Sequence, residues 1–203
     1  MNIAIIGTGN IGGTLAAKWA LTGHRIFFGV RDVENFKGKD LLGETITVHT
    51  IAEAVKNADV ILIAAVPPAT RDIVNAMGGV GNKIIIDAMN SVRTKAENFD
   101  STAEALRQWT GSPNIVKCFN SAGFNVMADT DFGGTKADMY MAGNSAEAKA
   151  VAKQLAVDAG FEECYDFGGD DRIPLLESFA MVWINLAMMQ GLGREIAFKL
   201  MRR

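Results

Sequence analysis

Along the first 120 residues, short uninterrupted apolar runs alternate with segments whose apolar positions recur every three or four residues. The runs predict strands at 2–6 (NIAII), 25–30 (RIFFGV), 45–49 (TITVH), 59–66 (DVILIAAV), 83–88 (KIIIDA) and 114–119 (NIVKCF). The segments between them predict helices at 11–22, 51–57, 70–77 and 101–110. VILIAAV and IIID lack polar alternation, as strands do when both of their faces are covered. Strand and helix in this alternation build parallel βαβ units. The expected fold class is α/β: a Rossmann-type, doubly wound, mostly parallel sheet.

After residue 120 the pattern changes. Gly123, Gly133 and Gly134 mark loops, MYMAG reads as a further strand, 145–159 as an amphipathic helix and FEECYDF as another strand. Pro174 then opens a long helix, expected over 175–202 with a kink near Gly191 and Gly193. The division expected is a nucleotide-binding domain over 1–122 and a C-terminal extension over 123–203, which completes the sheet and ends in that long helix. Its segment FAMVWINLAMM is apolar almost all round but shorter than the ~20 residues needed to span a bilayer. Such a helix is buried on two sides, in the core alone or also at a homodimer interface or cleft wall. Met181, Met188 and Met189 read as core filling.

Composition narrows the classes. A chain of 203 residues with a formal net charge of −3 lacks a large basic footprint, which excludes nucleic acid and anionic lipid as expected partners. The only dense basic cluster, Lys199, Arg202 and Arg203, reads as a solvated helix end. Cys118 and Cys164 are too few and too far apart for a disulfide framework, and no Cys/His spacing suits a metal. Met1 leads straight into a strand pattern with no leader-like segment, so a cytoplasmic location is expected.

The chemistry is carried by GTGNIG, in which Gly7, Gly9 and Gly12 form G-x-G-x-x-G between a strand and a helix. The first glycine permits the turn, the second lets backbone approach a pyrophosphate, and the third allows close helix packing. The helix start then offers free N–H groups to the anion. Arg31 stands nineteen residues after Gly12, just past the second strand, where an NAD enzyme presents an acid to the ribose. A guanidinium there binds a 2′-phosphate, and Lys37 and Lys39 add positive charge, so NADP(H) is expected. Asp32 is the rival: were the strand to end one residue later, its carboxylate would face the ribose and reverse the preference.

With GTGNIGG, GVR, AVPP, DAMNS, KCFN and the ending LLESFAMVWINLAMMQGLGREIAFKL, nearly the whole chain resembles the F420-dependent NADP oxidoreductase family. It is also similar to the cytosolic reductase domain of six-transmembrane metalloreductases. The resemblance implies NADPH across the carboxyl ends of the strands, with a cleft at the nicotinamide partly roofed by the C-terminal portion. It assigns Thr8, Gly9, Asn10 and Ile11 to the phosphate loop and Arg31 to the 2′-phosphate. Ala65, Val66 and Pro67 fall along the cofactor, and Asn90, Asn120, Ser121 and Ala122 near the nicotinamide. AGNS, at Ala142 to Ser145, departs from the CGDD-like segment of many relatives.

Hydride transfer between two rings needs alignment and water exclusion more than a protein acid or base, so no catalytic side chain is expected. His24 and His49 are poorly placed for catalysis, Cys118 reads as a small hydrophobe, and Lys199 as solvated. Asp87 and Asn90 are read equally as substrate-polarising groups or as strand-end caps. The leading reading is a hydride transfer between NADP(H) and a small flavin-like acceptor: F420, FMN or FAD. Reduction of a small carbonyl or imine is the alternative, and a non-catalytic NADP(H) sensor a third.

Overall fold

The computed structural model describes residues 1–92 and 94–203. Eight strands form one sheet: β1 (Asn2–Ile6), β2 (Arg25–Val30), β3 (Ile46–Thr50), β4 (Val60–Ile63), β5 (Ile84–Asp87), β6 (Ile115–Cys118), β7 (Met139–Ala142) and β8 (Cys164–Asp166). Their order is β3-β2-β1-β4-β5-β6-β7-β8. All neighbours are parallel except β6 and β7, so β7 and β8 run against the first six. The reversal of strand order between β1 and β4 is the place where doubly wound sheets open a crevice at the strand ends.

Seven helices cover the two faces: α1 (Asn10–Leu21), α2 (Ile51–Asn57), α3 (Thr70–Met77), α4 (Thr102–Thr110), α5 (Phe124–Ala128), α6 (Ala146–Asp158) and α7 (Ile173–Ile184). Side chains alternate across each strand. Ile3 and Ile5 of β1 join Trp19 of α1, Met127 of α5 and Leu155 of α6 in one core. Ala4 and Ile6 join Val55 of α2, Ile73 of α3, Leu106 of α4 and Leu176 of α7 in the other. With both faces covered, β4, β5 and β6 are buried throughout, as the lack of polar alternation in VILIAAV and IIID predicts for the first two. Local signals agree: a Thr50/Glu53 capping box starts α2, and Ser101 and Ser145 cap α4 and α6.

The end of the chain departs from expectation. The helix begins at Ile173 with Pro174 in its first turn and continues as a π turn over Asn185–Met189, but residues 190–203 are not helical. Gly191 and Gly193 take φ of 74° and 83°, where backbone leaves a right-handed helix. The tail then folds back: Trp183 Nε1 donates to the Ile196 carbonyl at 2.7 Å, and the Phe198 ring lies 4.6 Å from that of Phe179. Apolar residues near the end thus reach the core by reversal rather than by continuing a helix. Lys199 is solvated as expected but does not end a helix: its Nζ pairs at 2.9 Å with the buried Asp138, which also accepts from the Leu200 N–H.

The helical run containing α7 extends over Asp170–Met189, twenty residues within which an eighteen-residue stretch has a mean hydropathy of 1.2, so by length and composition alone it is long enough to cross a membrane. FAMVWINLAMM itself fills only residues 179–189 of this run, which reaches twenty residues by including the 3₁₀ turn Asp170–Arg172 ahead of the helix. One side of this run packs on the sheet through Ile173, Leu176, Ala180 and Trp183.

Candidate functional site

The turn after β1 is shaped by its glycines. Gly7 has φ of 99°, and a Cβ on it would stand 2.3 Å from the Ala64 carbonyl oxygen. A Cβ on Gly12 would meet the Gly7 oxygen at 2.0 Å. Both positions are therefore closed from within. Gly9 differs: its φ is −75°, open to any residue, and a Cβ there would have no atom within 4 Å. Nothing inside the chain requires glycine at that position, so the space is suited to a group from outside. Gly9 is also the N-cap of α1 and offers no side chain to its first turn, which carries no acid. The N–H groups and the positive end of the dipole are left for an anion, and the residues present fit a pyrophosphate.

A cleft of about 540 Å³ opens here, lined by Thr8, Gly9, Asn10, Lys37, Leu41 and Phe124 among others. It runs down the flank of α1 past Thr14 and Lys18 rather than across the strand ends. Of the expected cofactor residues, Thr8, Gly9, Asn10 and Lys37 line it. Gly7 and Gly12 form the turn beneath, Ile11 packs against the core, and the remainder lie outside this cleft.

β2 ends at Val30, so Arg31 is the first residue past it, and it is exposed. Asp32, which follows it, is exposed as well. Its Oδ1 accepts from the N–H groups of Glu34 at 2.9 Å and Asn35 at 3.2 Å, closing its own loop. Lys39 is likewise engaged, donating to the Glu34 carbonyl and lying over the Phe36 ring. Lys39 is exposed as well, so what sets Arg31 and Lys37 apart is that their side chains make no hydrogen bond or ion pair among the described residues.

At the other strand ends, Ala65 is half-buried, Val66 is exposed and Pro67 is buried as the first residue of a 3₁₀ turn. Asn90 and Asn120 hold each other: Asn90 Nδ2 donates to the Asn120 carbonyl at 2.8 Å, and Asn120 Nδ2 to Asn90 Oδ1 at 3.0 Å. Phe119 supplies the turn that makes this possible, with a φ of 60° rare for a non-glycine residue, a conformation costing on the order of 1–3 kcal/mol. Its burial and the edge contact with Trp19 at 5.5 Å hold it there. Ser121 is buried and donates to Met139 Sδ, and Ala122 packs at the core edge. Gly123 lies against the Trp183 ring of α7, where a Cβ would stand 2.8 Å away.

Sequence reasoning gave no role to a buried charge network beside this segment. Lys117 on β6 is wholly buried; its Nζ donates to Asp87 Oδ2 and Thr102 Oγ1, each at 3.0 Å, and to Glu177 Oε1. Asp87, also wholly buried, accepts in addition from the Thr102 hydroxyl and the Met89 N–H. Asp87 is thus neither a substrate-polarising group nor a simple strand cap. The signal for the network was a lysine inside the apolar run NIVKCF: a buried ammonium needs a carboxylate.

The remaining candidates lie elsewhere. His24 is buried between the Met1 amine and Asp158, and His49 bonds Thr47 Oγ1. Cys118 Sγ stands 3.9 Å from Cys164 Sγ in the core, and burial holds its thiol well above the ordinary range, so it is inert as a nucleophile. Among the described residues, no three His, Cys, Asp or Glu gather in a way that suits a metal ion.

Comparison with known proteins agrees with the resemblance read from the sequence. Residues 2–91 match the family described as NADP oxidoreductase, coenzyme F420-dependent. The whole chain superposes on the whole of an Arthrobacter sp. FB24 protein provisionally described as an F420-dependent NADP-reductase, at TM-score 0.86 and 26% identity. A reductive aminase from Aspergillus terreus, solved with NADPH and ethyl levulinate, matches 94% of this chain at TM-score 0.71 and 16% identity. An imine reductase from Streptomyces aurantiacus matches 94% at TM-score 0.70 and 13% identity. These last two share the fold; the present chain spans 62% and 64% of their lengths.

Proposed function

We propose that this chain transfers hydride between NADP(H) and a flavin-like acceptor, F420 or a flavin nucleotide. The coarser part of that reading, an NADP-dependent oxidoreductase, follows from the family match over residues 2–91 and from the same class among the structural relatives. The observation that carries it is the space above Gly9 at the uncapped start of α1.

In this reading Thr8 to Gly12 bind the pyrophosphate through backbone N–H groups, and Arg31 with Lys37 hold the 2′-phosphate. Ala65, Val66 and Pro67 lie along the cofactor, and the Asn90–Asn120 pair with Ser121 and Ala122 borders the nicotinamide. The bound cofactor supplies the hydride itself. The side chains align the rings, and Trp183 keeps water from the 120–123 segment beneath it.

The test is NADPH consumption, followed optically, with F420, FMN, FAD and ferric chelates offered separately and NADH as a parallel donor. Turnover with a flavin-like acceptor and NADPH preferred is the expected result. Turnover only with a small carbonyl or imine would move the assignment to the chemistry of the reductases that share this fold. Tight NADPH binding without turnover would make the chain a sensor.

The exposed stripe Leu175, Val182 and Met189, spaced seven apart along the α7 run, supports a homodimer through that helix. Sedimentation as a monomer at every concentration tested would reject it. The net charge of −3 argues against nucleic acid or an anionic lipid surface as partner, and a cytoplasmic location goes with this reading.

A further inference from the structure

A second cavity, about 280 Å³, lies between the start of α4 and the outer side of α7. Ser91, Val92, Asp100, Pro174, Glu177 and Met181 line it. It begins one residue beyond Asn90 and has no part in the NADP(H) reading.

Its charge follows from the network at its floor. Asp87 and Lys117 form a neutral pair in which the ammonium spends its three donors on Asp87, Thr102 and Glu177. Glu177 is therefore the surplus carboxylate of a triad with two anions and one cation. Its Oε1 is bound by Lys117, while among the described residues no hydrogen bond reaches Oε2, and the side chain retains 13% exposure at the cavity. Ser91 adds a hydroxyl whose oxygen is buried and has no partner among the described residues. Asp100 at the rim is paired with Lys95 and leaves no net charge there. A negative charge this close to a low-dielectric interior favours a cation in the cavity. Val92, Pro174 and Met181 wall it with apolar atoms, and the volume exceeds that of a bare ion, so the walls suit a short alkyl group.

We propose that this cavity binds a small organic cation, an alkylammonium or iminium, with its nitrogen donating to Glu177 Oε2 and Ser91 Oγ and its alkyl part against Met181 and Pro174.

The test is a calorimetric titration of the full-length, cofactor-free protein with isobutylammonium chloride, beside isobutanol at matched ionic strength. Because no hydride transfer is measured, its outcome is independent of the acceptor assays. Saturable binding of the ammonium at least about ten-fold tighter than that of the alcohol is expected, since only the cation forms a charge-assisted bond. Glu177→Gln keeps the size and the acceptor for Lys117 but removes the charge, and is expected to abolish that preference. Met181→Trp, at an exposed position, narrows the cavity and is expected to weaken the ammonium at least several-fold with an unchanged melting temperature. Absence of saturation, equal binding of amine and alcohol, or unchanged ammonium affinity in folded Glu177→Gln would overturn the proposal. Should Glu177→Gln fail to fold, unchanged affinity in Met181→Trp would overturn it equally.

Discussion

The turn at the start of α1 and the surroundings of α7 are made from different material. At α1 the surface offered to an anion is backbone: a turn whose shape is fixed by Gly7 and Gly12 and whose free face is Gly9. Around α7 it is side chains from distant parts of the chain, with Lys117 reaching Glu177 and Trp183 lying on Gly123. The first is a local device, complete within about a dozen residues. The second exists only once the helix has docked, so its energetics are those of long-range packing and buried charge.

The largest expected effect strikes the second kind. Lys117→Met leaves Asp87 and Glu177 without their cation in the interior, and breaking a buried pair in this way costs about 3–5 kcal/mol. Urea denaturation of this variant measures it. A loss below about 1 kcal/mol, the scale of an exposed pair, would mean the network is open to water and α7 only loosely attached.

Within the first kind, two glycines separate stability from binding. Gly12→Ala drives a methyl into the Gly7 oxygen and is expected to cost about 2–4 kcal/mol of stability. Gly9→Ala meets nothing, so its stability should stay within about 0.5 kcal/mol of the parent. Its NADPH affinity is nevertheless expected to fall about ten-fold or more, as the methyl occupies the space a pyrophosphate needs. A Gly9→Ala protein binding NADPH at full strength would remove the main support for a backbone-built site. Arg31→Ala sharpens the same end. NADPH binding should weaken by about 2–3 kcal/mol while NADH is little changed, and equal losses would sink the 2′-phosphate assignment.

The same contrast explains what was legible beforehand. The first six strands were recovered within a few residues, and α2 and α3 to the residue, because period and capping are local properties. Arg31 was placed correctly past β2 for the same reason; the engagement of Asp32 in its own loop needed coordinates, since an Asx turn competes with any other use of a carboxylate. The helix expected over 175–202 failed at its end because two glycines and a tertiary contact, Phe198 on Phe179, outweigh helical periodicity. Lys117 and Glu177 are sixty residues apart, and no spacing rule joins them. The short helix α5 has too few positions to show a period.

The smallest effect tests how α7 and the tail sit on β7, through Tyr140. Its ring is buried against Phe179 at 4.7 Å and Phe167 at 5.6 Å. That burial first, then the Asp138 carboxylate and Tyr165, push the phenol up to about 12. The unfolded chain loses the proton near pH 10. From there to about 12 the unfolded state sheds a proton that the folded state keeps, so stability falls as pH rises through this window. Below pH 10 both states are protonated and the contribution of the buried neutral ring is complete. The loss should amount to about 1–2 kcal/mol after partial screening, and Tyr140→Phe should remove it while leaving stability at pH 7 nearly unchanged. Denaturant titrations at pH 9 and pH 11.5 decide the matter. The same alkaline loss in Tyr140→Phe would assign it to other groups.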